Sequence, residues 1–411
     1  MVLEQRAQKA VNVLLCIVAV AGTGFGGFQA WSALSDRHAI DSACADLVPA
    51  GKVMRLPYAG GGIEARSEGI EEFRGVCSVF STEAGDTFGL DQGEGKRMYF
   101  QAYAGLEPDA AGEKVDDGHV IDFEDRPYLD APLGGGIPGH LTANTVRVKL
   151  ACGDGVKHEG RPVKNVVAAA VSVNDGYGLV FATQRQMQGT TRDQLASIAV
   201  DTANRLADRL GCPDRLPQPP TGIKPVQGDL KSDASAVGTC AWYGRSKLAG
   251  SGDWLPDQVI ETGTDPRGWK EKCGLVMSRT AAQETWSKYH GKRGYSRLDE
   301  SPDEKGAWWA STQSWFGESA KDVVLDGGFE TIRAEPGRAG RSEKSPKWWA
   351  SSVCDGEPAV HTLSLGNRAY GTYAARSFEP VFRAYVDDVT RRRGCTDVRF
   401  PAHDTFTKGP A

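Results

Sequence analysis

The sequence has none of the short motifs that mark common catalytic or metal sites. It contains no G-x-S-x-G, no H-E-x-x-H and no EF-hand loop. Its seven histidines are scattered, without a second histidine at ligand spacing. No two of its nine cysteines stand as close together as the cysteine pairs of structural zinc sites do. These absences leave no catalytic, cofactor-binding or metal-ligating residue to name, and we predict that the chain carries no cofactor.

A basic charge balance is also missing. Lysine and arginine together number 48 against 53 acidic residues, which gives a formal net charge of −5. Because proteins that bind nucleic acid usually present a basic face, we predict no nucleic-acid partner. The length of 411 residues exceeds that of one ordinary domain and favours two.

Charged residues are absent from one early stretch, VNVLLCIVAVAGTGFGGF, which runs from Val11 to Phe28. With the QAWSAL that follows, residues 11–34 are long enough to cross a hydrocarbon core of about 30 Å as a helix. Arg6 and Lys9 precede the stretch and favour an N-terminus inside the cell and a body outside. We therefore predict a cytoplasmic tail at 1–10, a transmembrane helix at 11–34 and a single-pass protein of the cell membrane. A signal peptide cleaved after AVA at 19–21 is the alternative.

Eight cysteines follow this segment, and they fall into two sets of four with similar spacing. The sets are Cys44, Cys77, Cys152 and Cys212, then Cys240, Cys273, Cys354 and Cys395. The surrounding blocks agree in order, for example FRGVCSVFSTEAGDTF with WKEKCGLVMSRTAAQETW, and DRLGCPD with TRRRGCTD. We interpret this as two copies of one domain, residues 36–213 and 233–402, with a short tail at 403–411. The Pro-rich segment 214–232 is predicted to be a semi-extended linker with little that enters a core.

Within each copy, the pattern predicts a sheet with helices packed on it. TVRVKLAC alternates as a half-buried strand that ends at Cys152, and NVVAAAVSV is predicted to return as its antiparallel neighbour. TTRDQLASIAVDTANRLADRLGC is then an amphipathic helix, with a capping box at Thr191 and Gln194 and a terminating Gly211. The second copy repeats this with the strand AVHTLSL and the helix SFEPVFRAYVDDVTRRR.

This topology predicts how the cysteines pair. The helix and the first strand run roughly parallel, so their C-terminal ends meet and place Cys152 beside Cys212. The same argument pairs Cys354 with Cys395, and elimination leaves Cys44 with Cys77 and Cys240 with Cys273. An even set of cysteines beyond a membrane span favours disulfides over zinc. The predicted fold class is α+β: two tandem copies of an antiparallel sheet with packed helices, preceded by one transmembrane helix.

The blocks CADLVPAGKV and GVCSVF and the Gly-Cys helix ends resemble small domains of actinobacterial envelope proteins whose activity is uncharacterised. The resemblance implies a membrane anchor and disulfide-stapled domains outside the cell. It carries no functional residue over to this chain. The second copy departs from the pattern at CAWYGRSKL, which lacks the proline.

Two stretches offer side chains suited to chemistry or binding. The segment DDGHVIDFEDRP, residues 116–127, is interpreted as a solvated acidic turn, with a calcium loop or a pair of hydrolytic carboxylates as alternatives. Nine of the ten tryptophans lie at or beyond Trp242, several of them on candidate strands. For the pairs Trp308–Trp309 and Trp348–Trp349, the favoured interpretation is extra core and hairpin packing. The alternative is one exposed member in each pair that stacks on sugar rings, because adjacent residues of a strand point to opposite faces.

The loop GRAGRSEKSPKWW combines cations with tryptophans and is the candidate binding site. An anionic glycan polymer needs cations for its phosphates or carboxylates and a flat apolar face for its rings. The alternative is a solvated hairpin loop whose tryptophans belong to the core. The candidate residues are Arg338, Arg341, Lys344, Lys347, Trp348 and Trp349.

Together these features predict a membrane-anchored extracytoplasmic protein that binds or scaffolds in the cell envelope. Its partners are predicted to be the membrane, through the N-terminal helix, and a cell-wall polymer or another envelope protein. The alternative is a cell-wall-directed hydrolase whose carboxylates the sequence does not identify. The sequence leaves the question of enzymatic activity open and leans towards none.

Overall fold

The computed structural model describes residues 15, 29–87, 95–107, 113–114, 129–173, 187–226, 230–298, 301–302, 308–326, 332–366 and 368–407. These residues form an α+β body in which antiparallel sheets carry packed helices. We refer to residues up to 226 as the first half and to residues from 230 onward as the second half. The predicted tail 1–10 and most of the predicted span 11–34 lie outside the described residues. In the part of the chain that is described, no helix is both long enough and apolar enough to span a membrane.

The first half is built on a seven-stranded sheet with the order β1-β2-β3-β10-β7-β6-β5. Its neighbouring strands pair antiparallel. The strands of this half are β1 (Ile63–Glu68), β2 (Arg74–Ser81), β3 (Arg97–Glu107), β4 (Glu113–Lys114), β5 (Ala131–Pro132), β6 (Gly139–Leu141), β7 (Thr145–Ala151), β8 (Lys157–His158), β9 (Arg161–Pro162) and β10 (Asn165–Ser172).

The second half is built on an eight-stranded sheet with the order β11-β12-β13-β14-β19-β18-β17, and β20 pairs with β18. A small third sheet, β16-β15-β4, takes one strand from the first half. The strands are β11 (Lys231–Ser232), β12 (Gln258–Glu261), β13 (Lys270–Val276), β14 (Trp309–Phe316), β15 (Val323–Asp326), β16 (Ile332–Ala334), β17 (Gly340–Arg341), β18 (Lys347–Cys354), β19 (Glu357–Leu365) and β20 (Thr396–Arg399).

The helices connect and cover these sheets. The long helix of the second half includes residues from Arg368 onward, well before the start near Ser377 that the sequence suggests. The helices are α1 (residues 29–43), α2 (Ala50–Val53), α3 (Thr82–Thr87), α4 (Gly189–Leu210), α5 (Ala241–Ser246), α6 (Arg279–Tyr289), α7 (Arg368–Arg393) and α8 (Asp404–Thr407), with 3₁₀ turns at Asp233–Ser235 and Gly317–Asp322.

The two large sheets share one strand order. The order β1-β2-β3-β10-β7-β6 in the first half corresponds to β12-β13-β14-β19-β18-β17 in the second. In each half, a long helix follows the last strand of this set: α4 follows β10 and α7 follows β19. The predicted antiparallel pairing of TVRVKLA with NVVAAAVS is present as β7 with β10.

Helix α4 packs on β7 and β10, and its two ends agree with the sequence prediction to different degrees. Gly211 adopts the left-handed conformation, with φ of 73°, and its backbone N–H bonds to carbonyl oxygens of the last helical turn, as predicted. The predicted capping box is wrong. The helix begins at Gly189 after Gln188, so Thr191 lies inside the first turn and is buried, and Gln194 instead donates to the carbonyl of Arg55.

Four disulfides tie the helices to the sheets. They join Cys44 to Cys77, Cys152 to Cys212, Cys240 to Cys273 and Cys354 to Cys395, which is the pairing that the sequence predicts. Each bridge stays within one half. Because disulfides persist in oxidising compartments, these bridges indicate an extracytoplasmic environment.

The described part of the segment 214–232 is not separate from the body. Leu216, Ile223 and Val226 are buried in the core of the first half, so the prediction that little of it enters a core is wrong. Asn204 of α4 exchanges two hydrogen bonds with the backbone of Leu216, and Asp193 accepts from the backbone N–H of Ile223. The segment therefore covers one face of α4.

The second sheet is buried on both faces. On one face, Trp308 and Trp348 join the core beneath α7. On the other face, Trp309 belongs to the same core cluster as the first half, and Trp315 packs under the small third sheet. Core packing, the favoured interpretation of the tryptophan pairs, is therefore present for both Trp308 and Trp309, whereas Trp349 is only half-buried against the third cluster.

Buried ion pairs hold the two halves together. Asp130 of the first half pairs with Lys270 of the second at 3.0 Å, and both side chains are about nine-tenths buried. Burial alone raises the pKa of Asp130, but the charges of Lys270, His140 and Lys272 outweigh it and keep that pKa below its ordinary value. Removing one partner of such a pair would leave an uncompensated buried charge, which costs about 3–5 kcal/mol.

A second buried cation lies at the same interface. The ammonium of Lys149 pairs with Glu107 in its own half and donates to the hydroxyl of Ser319 across the interface. It also lies 4.7 Å from the centre of the Trp269 ring, and the His140 ring packs on the same tryptophan at 4.8 Å. The interface is therefore a set of partnered charges around one aromatic ring.

His361 lies in a polar chain inside the second half. Its two ring nitrogens are 2.7 Å from the Ser314 hydroxyl and 2.9 Å from the Ser352 hydroxyl, and Ser314 also contacts the hydroxyl of Tyr385 at 2.7 Å. The histidine is fully buried, and this burial lowers its pKa to about 3. A serine beside a histidine can act in catalysis, but no substrate reaches this pair, so we interpret it as structural.

We expect His361 to make stability depend on pH. The unfolded chain takes up a proton below about pH 6.5 and the folded chain does not until about pH 3, so stability is complete above 6.5 and falls on acidification. The slope within this window is about 1.4 kcal/mol per pH unit. Denaturant unfolding at several pH values measures it, and His361→Gln should lose that slope. An equal slope in both proteins would contradict the assignment. If the variant does not fold, NMR titration of the wild-type imidazole decides instead.

Removing a bridge is expected to destabilise its own half. Replacing Cys240 and Cys273 together by alanine opens a loop of 33 residues, which costs about 4 kcal/mol on the chain-entropy model. The shift of the denaturant midpoint measures this cost, and peptide mapping without reductant checks the remaining pairing. The matched control replaces Cys44 and Cys77, which close a loop of the same length in the first half. A bridge found between the two halves would contradict the structure.

Candidate functional site

The loop that the sequence selected as a binding site is largely occupied by contacts within the protein. The Trp348 ring is fully buried and stacks on Phe406 with ring centres 5.0 Å apart. The ammonium of Lys347 is buried and donates to the carbonyl of Leu325 at 2.7 Å. Neither side chain is therefore presented to a ligand in this structure.

The remaining members of that loop are dispersed rather than convergent. The Arg341 guanidinium lies 5.1 Å from the centre of the Trp348 ring and donates to the carbonyl of Thr405, and burial lowers its pKa. Arg338 is exposed and pairs with Glu335 at 2.7 Å. Lys344 is exposed and Trp349 is half-buried. The structure thus leaves two exposed cations here, without an exposed tryptophan face beside them.

A better-formed site lies elsewhere in the second half, between the loop 250–257 and helix α6. A cavity of about 500 Å³ opens there to solvent. Leu255 and Met277 supply its apolar wall, and Asp253, Asp257 and Glu284 supply carboxylates. A cavity with an apolar wall and a few convergent polar groups is the usual form of a small-ligand site.

Local hydrogen bonds fix the two sides of this cavity. The Ser278 hydroxyl caps α6 by accepting from the backbone N–H of Ala281, and the Ser278 backbone N–H donates to Asp257 at 2.6 Å. Ala281, Thr285 and Lys288 face the cavity because residues four and three apart share one face of a helix. The Thr285 hydroxyl donates to the carbonyl of Asp253, which ties the loop to the helix.

Asp253 is the central polar group of the site. Its carboxylate accepts from the Lys288 ammonium at 2.5 Å and from the Tyr289 hydroxyl at 2.7 Å. The bond from Lys288, followed by that from Tyr289, lowers the pKa of Asp253. The same bonds raise the pKa of Lys288 and of Tyr289. At neutral pH the site therefore holds an ionised aspartate, a charged lysine and a neutral tyrosine.

Aromatic rings adjoin the cavity through Tyr289. Trp254, Tyr289, Tyr295 and Tyr373 form what we call the aromatic platform. Trp254 packs against Tyr289 at 5.0 Å, Tyr289 against Tyr295 at 4.7 Å, and Tyr295 against Tyr373 at 4.9 Å between ring centres. The three tyrosines are half-buried, whereas Trp254 is buried. The platform therefore presents ring surface to solvent.

The platform is anchored in the core. Trp254 stacks on the buried Trp308 with ring centres 5.6 Å apart, and Trp308 stacks on the buried Tyr370 at 5.2 Å. The Tyr370 hydroxyl donates to the carbonyl of Trp254 at 2.7 Å. At the outer end, the Tyr373 hydroxyl accepts from the backbone N–H of Arg297 and holds the loop after α6. Pre-ordered rings lose little entropy when they bind a ligand.

The first half does not build this site from its corresponding segment. The connection after β2 spans residues 82–96 and contains the six-residue helix α3, whereas the connection after β13 spans 277–308 and contains the eleven-residue helix α6. Residues 88–94 of the shorter connection lie outside the described part. The cavity and the platform thus depend on residues of the longer connection, 277–308, in the second half.

The acidic segment 116–127, which the sequence offers as a calcium loop or a carboxylate pair, lies outside the described residues. Among the residues that are described, no group of three or more His, Cys, Asp or Glu side chains is arranged to hold a metal ion. No protein-family model, curated protein sequence or solved structure matches the chain.

The sequence analysis missed the platform, although a signal for it is present. The stretch WSKYHGKRGYSRL, residues 286–298, interleaves cations and aromatics as closely as the loop at 338–349 does. Two of its aromatic residues are tyrosines, Tyr289 and Tyr295, and tyrosine does not show the uneven distribution along the chain that tryptophan does. Tyr373 could not have been assigned from the sequence, since it reaches the platform from α7.

We expect the inner and outer rings of the platform to differ in their effect on stability. Trp254→Ala removes a buried ring and should cost about 3–5 kcal/mol. Tyr295→Ala removes a half-exposed ring from aromatic pairs and should cost about 1 kcal/mol. Denaturant unfolding measures both. An equal loss for the two variants would show that Tyr295 is a core residue and not part of an exposed surface.

Proposed function

We propose that this protein is a membrane-anchored, extracytoplasmic binding protein of the cell envelope, and that its ligand is a glycan. The cavity beside the aromatic platform is the observation that carries the proposal. Sugars are bound by flat aromatic faces that cover their C–H groups and by carboxylates that accept from their hydroxyls. Tyr289 and Tyr295 supply such faces, and Asp253, Asp257 and Glu284 supply such acceptors.

The disulfides and the helix α1 support the proposed location. Trp31 and Leu34 on α1 are 68% and 66% exposed, and side chains of this helix are fully buried only from Ile40 onward. Large apolar side chains that point into solvent just after an uncharged run of sequence suit the interface of a membrane. The uncharged run from Val11 to Phe28 supplies the proposed anchor.

We also propose that the body consists of two copies of one module. The shared strand order, the equivalent long helices and the two equal disulfide separations of 33 residues support a duplication. In this proposal the first copy is the scaffold and the second copy carries the site. The buried ion pair of Asp130 and Lys270 joins this scaffold to the second copy.

A binding role is favoured over a wall hydrolase by the charge states of the carboxyl groups. Glycoside hydrolases use a carboxylic acid with a raised pKa to protonate the leaving group. In the cavity, the hydrogen bonds from Lys288 and Tyr289 lower the pKa of Asp253, although burial opposes this. Asp253 is thus held as an anion and suits hydrogen-bond acceptance.

The binding proposal is tested by pull-down of the full chain, in detergent, on isolated cell wall. We expect Tyr295→Ala to weaken binding about tenfold, which corresponds to about 1.4 kcal/mol. Tyr295→Phe keeps the ring and is the matched control, so it should bind as the wild type does. Equal binding by all three proteins would remove the platform from the proposal. Release of soluble wall fragments would favour the hydrolase alternative.

The location is tested separately by treating intact spheroplasts with protease. We expect the body to be digested while the membrane remains sealed, because it lies outside. Protection of the body would contradict the proposed orientation. A mature N-terminus near Gly22 would replace the anchored form with a secreted one.

A further inference from the structure

We propose that the glycan recognised by the aromatic platform is anionic, with phosphate or carboxylate groups along a chain of sugar rings. This inference rests on the proposed glycan-binding function and names the class of polymer. It is carried by exposed cations on the segment 288–297, which also holds Tyr289 and Tyr295 of the platform, and we call these cations the basic rim. The basic rim consists of Lys288, Lys292, Arg293 and Arg297.

The cations of the rim are exposed, and most of them have no carboxylate partner. Lys288 alone pairs with Asp253. Lys292 lies 5.6 Å from the centre of the Tyr289 ring, and among the described residues neither it nor Arg293 nor Arg297 pairs with a carboxylate. Two helix arginines elsewhere in this half do have carboxylate partners: Arg245 pairs with Asp388 and Arg383 with Glu379. Within the described residues, three of the four rim cations are therefore not neutralised by a carboxylate.

The cavity and the rim place opposite demands on one ligand. Asp253, Asp257 and Glu284 line the cavity and repel anions, so the part of the ligand that enters it must donate hydrogen bonds, as sugar hydroxyls do. The rim attracts anions. A polymer with both uncharged hydroxyl-rich faces and regularly spaced anionic groups satisfies both, with its rings on Tyr289 and Tyr295. A neutral glycan leaves the rim unused.

Single-stranded nucleic acid also combines anions with flat rings, and it is the principal competing ligand. The acidic cavity next to the platform disfavours a DNA strand, because its deoxyribose rings offer no free hydroxyl along the chain that donates to the three carboxylates. The segment 299–307, which follows the rim, carries four acids and one lysine and lies largely outside the described residues. The variants of the test therefore leave this segment unchanged and alter only residues of the rim.

The experiment compares binding of the full chain to isolated cell wall before and after cold hydrofluoric acid removes phosphodiester-linked polymer. The triple variant Lys292→Ala, Arg293→Ala, Arg297→Ala is compared with wild type at low and high salt. We expect about tenfold weaker binding for the variant, the same loss for wild type on stripped wall, and weaker binding at high salt. The matched control removes three exposed cations elsewhere, Arg55, Lys224 and Arg399, and should bind like the wild type.

The outcomes separate this inference from the function on which it rests. Wild type that binds native and stripped wall equally, with no loss in the triple variant, overturns the anionic ligand and leaves a neutral glycan. In a parallel preparation, the wall carboxylates are blocked by carbodiimide coupling to a neutral amine and the phosphate is left in place. If only this treatment weakens binding, the anion that the rim binds is a carboxylate. Equal affinity for a single-stranded oligonucleotide overturns glycan recognition. Absence of binding to any wall preparation overturns the proposed function itself.

Discussion

The second sheet is covered on both faces, and most features of this protein follow from that constraint. Trp309 and Trp315 point from β14 towards the first half and the small third sheet, while Ala310 and Ser314 point towards α7. Buried polar side chains of a sheet with no solvated face need partners inside the protein, and the chain through His361 and the bond from Lys347 to the Leu325 carbonyl supply some of them. Among the described residues of β14, the side-chain oxygens of Thr312 and Gln313 have no such partner. Binding chemistry is thereby excluded from both faces. A binding site must then lie in the connections between strands. The connection 277–308, between β13 and β14, carries α6 and with it one side of the cavity and two of the four rings of the platform.

The parts of the fold that the sequence predicted depend on short-range geometry. A strand, a hairpin and a helix in succession return the chain to its starting edge whatever packs around them, so Cys152 meets Cys212 and Cys354 meets Cys395. Gly211 ends its helix because only glycine adopts the left-handed conformation at little cost. These signals are local, and no neighbouring element alters them. For the same reason they say nothing of how the two halves meet, where Asp130 pairs with Lys270, Lys149 donates to Ser319 and Trp309 joins the core of the first half.

The predictions that failed all required knowledge of what covers a surface. The segment 214–232 contains few apolar residues among its prolines. Three of them, Leu216, Ile223 and Val226, nevertheless pack in the core of the first half, on the face of α4 that would otherwise be exposed. Thr191 has the sequence context of a helix cap, but burial of that turn moves the start of the helix to Gly189. Strand alternation correctly places Trp308 and Trp309 on opposite faces. It cannot show which of the two faces meets the other half of the chain.

The same reasoning explains why one of two similar stretches forms a candidate site. Residues 286–298 and 338–349 have comparable cations and aromatics, so composition does not rank them. The second stretch leads into β18, which has paired strands on both sides, and a residue in such a strand is buried on either face when both faces are covered. The first stretch continues from the end of α6 through Gly291 and Gly294, both with positive φ, and it lacks strand periodicity. Aromatics in a glycine-containing loop outside any ladder have fewer neighbours that can bury them. A cation–aromatic pattern is therefore stronger evidence of a binding surface where no strand or helix periodicity surrounds it.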